Sequence, residues 1–152
     1  SGLAFYQAQA ATKQLPPHEG TVLLTVSESD RPAVLEVARR FADLGFKIKA
    51  TKGTHKFLAE QGVAADLILK MHEGRPHIVD GIKSQEIDLI INTPSGKLSK
   101  HDDSYIRKAA IKYKIPYITT LAGALAAARG IAESGRRQGQ VKSLQSYHAD
   151  IR

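Results

Sequence analysis

Thr21-Val22-Leu23-Leu24-Thr25-Val26, the stretch from Ser27 to Gly45, and then Phe46-Lys47-Ile48-Lys49-Ala50 together decide the fold. The first six residues favour β structure and are nearly all apolar, the pattern of a strand covered on both faces. Asp30 and Pro32 suit a helix cap and first turn. Val34, Leu35, Ala38, Phe41 and Leu44 then recur at helical spacing, and Gly45 ends the helix. Phe46–Ala50 reads as a second strand. Strand, helix and strand in so short a span predict a parallel βαβ unit, because parallel strands need a crossover between them.

The alternation continues on the carboxyl side. Thr54 is expected to cap a short helix through Gln61, ended by Gly62. Asp66-Leu67-Ile68-Leu69 reads as a third strand, Pro76 to Ser84 as a weak helix, and Ile87-Asp88-Leu89-Ile90-Ile91 as a fourth strand. Asp102 or Asp103 is expected to cap a helix carrying Ile106, Ala109, Ala110 and Tyr113. Tyr117-Ile118 is a brief strand, and residues 121–133 form an Ala-rich helix. The stretch Gly135-Arg136-Arg137-Gln138-Gly139 predicts a basic loop leading to a short edge strand near Val141. On the amino side, residues 1–13 read as the end of a helix without a start cap, and Gln14–Gly20 as a linker, since Pro16 and Pro17 block helix and ladder bonds. The expected fold is α/β, a three-layer α/β/α sandwich of about five parallel strands.

Composition limits the function. The 152 residues carry 22 Lys+Arg against 15 Asp+Glu, a formal charge of +7, and no Cys. Disulfide scaffolds, thiolate zinc sites and thiol nucleophiles are excluded. No apolar run approaches the ~20 residues that span a bilayer. Ser1-Gly2-Leu3-Ala4-Phe5 lacks a basic region followed by an apolar core, so no signal peptide is read there and a cytoplasmic domain is expected. A basic balance fits nucleic acid, an anionic membrane, a small anionic ligand or plain solubility. Nucleic acid is poorly supported, with 6% aromatic residues, no stacking run and scattered lysines.

In open parallel sheets ligands bind outside the carboxyl ends of the strands, which directs attention to four loops. Thr51-Lys52-Gly53-Thr54 has the parts of an anion cradle: Gly53 for close backbone approach, two hydroxyls, and a helix start. A plain turn with Thr54 as N-cap reads equally from the same residues. His72-Glu73-Gly74-Arg75-Pro76-His77 is dense in polar groups, but two His in a Pro-containing loop make poor metal geometry. A loop ordered by Arg75 and supporting a ligand pocket is expected instead. Asn92-Thr93-Pro94-Ser95-Gly96 offers ligand hydrogen bonds or is simply a turn. His101-Asp102 and Thr119-Thr120 read as helix caps, and no Gly-x-Ser-x-Gly nucleophile elbow occurs.

Thr51-Lys52-Gly53-Thr54, Lys70-Met71-His72-Glu73-Gly74-Arg75-Pro76-His77-Ile78, Ile90-Ile91-Asn92-Thr93-Pro94-Ser95-Gly96 and Tyr117-Ile118-Thr119-Thr120 follow one another in order. Together they resemble the C-terminal methylglyoxal synthase-like domain of the carbamoyl phosphate synthetase large chain. The opening Gly2-Leu3-Ala4-Phe5-Tyr6-Gln7-Ala8-Gln9 is similar to the end of the preceding ATP-grasp domain. The resemblance covers essentially the whole chain. It implies a division into residues 1–20, the end of a preceding domain's helix plus linker, and residues 21–152, a regulatory domain with flavodoxin-like winding.

Regulation rather than chemistry is what the resemblance implies. The family's domain is allosteric and binds nucleotide monophosphates of the UMP and IMP type, with ornithine acting in some members at the boundary with the neighbouring domain. Its phosphate-site threonines match Thr51 and Thr54, on either side of Gly53, and its lysine matches Lys70. A lysine in its first loop is replaced by Arg31, which keeps the charge and changes the geometry. The asparagine and threonine that contact sugar or base match Asn92 and Thr93, and Thr119 falls where the family's threonine near the ornithine site lies. No catalytic residue, metal or cofactor is expected in this domain. The implied parent enzyme is an ATP-dependent ligase using Mg or Mn, partnered by a glutaminase small chain and feeding pyrimidine and arginine synthesis. Oligomers are left open. The alternative is a methylglyoxal synthase-type lyase. Against it, Arg75-Pro76 stands where the synthase has its Gly-Gly-Asp base and Ser27-Glu28 where it has an early His-Asp, though His101-Asp102 matches.

Overall fold

The computed structural model describes residues 20–94 and 102–151, with the last helix beyond residue 136 described by its backbone alone. Strand β1, Thr21–Thr25, is the middle of a five-stranded sheet. Its apolar run has the predicted cause. Val22 and Leu24 belong to one core cluster and Leu23 to the other, so both faces of the strand are covered. Helix α1, Arg31–Asp43, leads to β2, Lys47–Ala50, and helix α2, Lys52–Glu60, to the short β3, Asp66–Leu67. Helix α3, Ile78–Lys83, leads to β4, Leu89–Asn92. Helix α4, Ser104–Lys112, leads to β5, Tyr117–Ile118, and helix α5, Leu121–Ile151, follows.

The strand order is β3-β2-β1-β4-β5, all parallel, with Leu23 opposite Lys49 on one side and Ile90 on the other. Val34, Val37 and Phe41 of α1, Leu58 of α2 and Ala124, Ala127 and Ile131 of α5 pack on one face. Ile78 and Ile82 of α3 and Ile106 and Ala110 of α4 pack on the other. The result is the three-layer, doubly wound α/β sandwich that the sequence predicts. The chain winds outward from β1 through β2 and β3, then returns to β1's other side with β4. The carboxyl ends of β1 and β4 are therefore where successive connections part to opposite faces.

The exit from α1 shows how local sequence sets the frame. Gly45 has φ +94°, a left-handed conformation costly to any residue with a Cβ. It lets Phe46 N–H donate to Phe41 O and Gly45 N–H to Ala42 O, both at 3.0 Å, which satisfies the last carbonyls of the helix. The same turn puts the Phe41 and Phe46 rings edge to face, 5.3 Å apart at 84°.

Three local expectations are corrected, and the choice between Asp102 and Asp103 at the start of α4 is decided. Helix α2 starts at Lys52, two residues before the predicted cap, so Thr54 lies inside its first turn and Thr51 takes the N-cap position. Asp30 precedes α1 but makes no capping bond, because a 3-10 turn over Glu28–Asp30 already holds it in helical dihedrals. Its carboxylate instead accepts from Ser27 Oγ at 2.9 Å. At α4, Asp103 holds the N-cap position without a capping bond, while Asp102 accepts from Ser104 N–H at 2.9 Å and Ser104 Oγ–H at 2.8 Å. Finally, residues 135–141 are neither loop nor strand: α5 runs through them to Ile151. Gly135 and Gly139 weaken a helix by about 1 kcal/mol each relative to Ala, but no Pro or cap interrupts the helix formers around them. The expected helix end and linker before Gly20 lie outside the described residues.

Candidate functional site

Five buried polar residues occur among the described residues, and Thr25, Thr51, Thr54 and Thr93 are four of them. All four stand at or just beyond the carboxyl ends of β1, β2 and β4. A polar group in a dry interior needs a partner, and these find one another's neighbourhood. Thr51 Oγ1 donates to Thr25 Oγ1 at 2.9 Å, Val26 N–H donates to Thr54 Oγ1 at 3.2 Å, and Ser27 N–H donates to Thr93 Oγ1 at 2.9 Å. The exit of β1 is thus pinned to α2 on one side and to the end of β4 on the other. Thr54 accepts from Val26, which leaves its own hydroxyl proton to donate.

Beside these threonines lies a cavity of about 210 Å3, lined by Thr25, Val26, Arg31, Lys52, Lys70 and Asp103, together with Thr51, Gly53, Thr54, His72 and Glu73. Arg31, the first residue of α1, lays its guanidinium on Gly53: a Cβ there would come within 2.6 Å of Arg31 Cζ. Glycine is required by that close approach rather than by its backbone angle. Arg31 Nε is buried with no hydrogen-bond partner. A buried charged donor beside a helix N-terminus with no side-chain cap is an arrangement chemically suited to accept an anion.

The far wall is built from ion pairs. Lys70 Nζ lies 2.7 Å from Asp103 Oδ2, and Lys52 Nζ 3.8 Å from Glu73 Oε2. Lys70 N–H donates to Glu73 Oε1 at 2.8 Å, which closes the 3-10 turn Met71–Glu73. Met71 N–H donates to Tyr105 Oη at 2.8 Å, tying that turn to α4. Burial pushes the Tyr105 phenol above its ordinary pKa, so it stays a neutral hydroxyl at pH 7.

Arg75 does order the loop after β3, though it does not line the cavity. Its Nη2 donates to Asp80 Oδ1 at 2.7 Å. Asp80 Oδ2 also accepts from His77 N–H at 2.8 Å, while Val79 N–H donates to His77 Nδ1 at 3.2 Å. This reciprocal cap starts α3. The Arg75 hydrogen bond, then that of the His77 backbone, lowers Asp80 to about 2.

The structure therefore brings Thr51, Gly53, Thr54, Lys70 and Arg31 to one cavity and leaves the other predicted residues outside it. Asn92 Nδ2 donates to Tyr117 Oη at 2.9 Å, and Thr93 is held by Ser27. Thr119 is exposed before α5, where Thr120 Oγ1 accepts from Gly123 N–H at 3.0 Å. Lys52, Glu73 and Asp103 were not among the predicted site residues. The x-x spacing of Lys70 and Glu73 around one tight turn carried a signal for Glu73; the pairing of Lys70 with Asp103, 33 residues away, carried none.

Residues 33–119 match the family model described as MGS-like domain. The chain is 48% identical over 150 residues to the carbamoyl phosphate synthase large chain of Archaeoglobus fulgidus, covering 98% of this chain and 14% of that protein. With the large chain of Gemmatimonas aurantiaca it shares 46% over 151 residues, 99% of this chain and 14% of that one. The large chain's C-terminal section in Aquifex aeolicus is 44% identical over 146 residues, 96% of this chain and 27% of that protein. Among solved structures, methylglyoxal synthase from Elizabethkingia anophelis NUHP1 superposes with a TM-score of 0.62 at 16% identity, covering 74% of this chain and 79% of that one, a likeness of fold. The chain spans only about 14% of the length of its full-length relatives. It belongs to the carbamoyl phosphate synthase large-chain family and carries that family's methylglyoxal synthase-like domain.

Proposed function

We propose that this domain is an effector-binding module that takes the phosphate of a nucleotide monophosphate, of the UMP or IMP type, in the cavity between α1 and α2. The observation that carries the reading is Arg31 Nε, buried and unpartnered beside Gly53 at the start of α2. A dianionic phosphate supplies the missing acceptor, and the Thr54 hydroxyl and the first-turn N–H groups add donors. The cavity's ≈ 210 Å3 falls short of the ~300–1,000 Å3 of pockets that enclose a whole drug-sized ligand. It suits phosphate and sugar, with the base lying outside.

Within a longer large chain, the module regulates carbamoyl phosphate synthesis for pyrimidines and arginine. The ATP- and metal-dependent ligase chemistry and the glutaminase small-chain partner belong to the rest of that enzyme, and a cytoplasmic setting fits that role. Regulation requires the effector to prefer one arrangement of this domain against its neighbours, since equal affinity shifts nothing. Ornithine, if sensed, contacts the region of Thr119. Calorimetric titration of UMP, IMP and ornithine into the 152-residue chain tests the proposal. Heat from a nucleotide monophosphate, lost in Arg31→Gln, is expected; no heat from any of them overturns it. Methylglyoxal formed from dihydroxyacetone phosphate would favour the lyase instead.

A further inference from the structure

Asp103 presents a second unfilled group to the same cavity. Its Oδ2 is taken by Lys70 at 2.7 Å, but its Oδ1 is buried without a partner. Arg31 Nε is in the same state, so the cavity holds one buried donor and one buried acceptor unfilled. Leaving either group dry and unpaired costs free energy, and each calls for an explanation. Helix capping does not explain Asp103. It stands at the N-cap of α4 yet makes no cap bond, a task Asp102 performs with both oxygens. Asp103, its side chain 31% exposed, lines the cavity beside Lys70.

We infer that Asp103 is a specificity-determining residue: the cavity accepts a phosphate only when a hydroxyl donor sits beside it, as in a sugar phosphate, and discriminates against bare phosphate and simple alkyl phosphates. This rests on the proposal that the cavity binds a phosphate. The physics is opposed at the two ends. Arg31 attracts any phosphate, whereas the Asp103 carboxylate repels a second anion unless a ligand hydroxyl bonds to it. Lys70 offsets that repulsion in part, because its charge is already shared with Asp103. A ligand without the hydroxyl leaves Oδ1 unpaired, and a site built for a hydrogen bond rejects the analogue lacking it. Asn92 and Thr93, occupied by Tyr117 and Ser27, are not needed for this contact.

The test compares ribose 5-phosphate, ethyl phosphate and inorganic phosphate by calorimetry on the wild-type chain, Asp103→Asn and Asp103→Ala. Ribose 5-phosphate is expected to bind wild type at least about tenfold more tightly than ethyl phosphate, the magnitude of a hydrogen bond to a charged group. In Asp103→Ala, which removes the acceptor, that ratio should collapse to within about threefold, while Asp103→Asn keeps an acceptor oxygen and part of the preference; ethyl phosphate should bind both variants more tightly than wild type. Thermal melts of the two variants confirm that the fold is kept. An unchanged ratio in folded Asp103→Ala overturns the inference and leaves the phosphate site standing. No binding of any phosphate to wild type overturns the site itself.

Discussion

Gly53 and Thr54 sit side by side in α2 and do opposite jobs. Gly53 has no side chain because Arg31 occupies the space where one would go. The nearest atoms are the far end of a flexible side chain, so Gly53→Ala should fold, displace the guanidinium and weaken UMP binding by about tenfold, the worth of a lost charge-assisted bond. Calorimetry checks this, and unchanged affinity would contradict it. Thr54 is buried and carries Val26 N–H, so its replacement is a stability event as well as a binding one. Thr54→Val should cost about 1–3 kcal/mol in urea unfolding, the penalty of an orphaned buried donor, while Thr54→Ser keeps the bond. Asp80 gives a pH signature. Its pKa is depressed to about 2 by Arg75, so the pairing stabilises the fold above the ordinary carboxylate range and is lost as pH falls through about 2. NMR of the side-chain carboxyl carbon should show that midpoint in wild type and a return toward ~3.9 in Arg75→Ala. The residue types of Thr51-Lys52-Gly53-Thr54 fitted an anion cradle and a plain turn equally, and Lys70 and Arg31 entered only through the family resemblance. Asp103 was not readable as a site residue, because its partner is brought close only by the sheet.

At the scale of elements, periodicity and punctuation carried most of the fold. The apolar β1, the 3.6-residue pattern of α1 and the glycine at its end each correspond to one physical requirement, two-sided burial, a core-facing stripe and a left-handed exit. The last two make predictions. Gly45→Ala should destabilise the domain by about 1–2 kcal/mol, the cost of a Cβ in that conformation. Phe41→Ala, which empties a fully buried ring site, should cost about 3–5 kcal/mol; both are read from denaturant midpoints. Helix boundaries were less legible. The start of α2 was displaced because Thr51 and Thr54 are both plausible caps by type, and only tertiary bonds to Thr25 and Val26 decide their roles. The continuation of α5 was hidden by two glycines, which punctuate a sequence more strongly than they break a helix.

For the whole molecule, the formal charge of +7 fitted nucleic acid, a membrane, a small anion or plain solubility, and the cavity itself is close to balanced. Arg31, Lys52 and Lys70 line it with Glu73 and Asp103, three cations against two carboxylates. The selectivity proposed for it rests on which donors and acceptors are left unpaired, Arg31 Nε and Asp103 Oδ1, rather than on net charge. The parallel sheet places that cavity beyond the carboxyl ends of β1 and β2, between the loop after β3 and the start of α4, where connections at that edge of the sheet converge. The most direct measurement is a heteronuclear NMR titration of the 152-residue chain with UMP and IMP. Saturable amide shifts centred on Arg31, Lys52–Thr54 and Lys70 are predicted. Shifts confined to another surface, or none at all, would contradict the account.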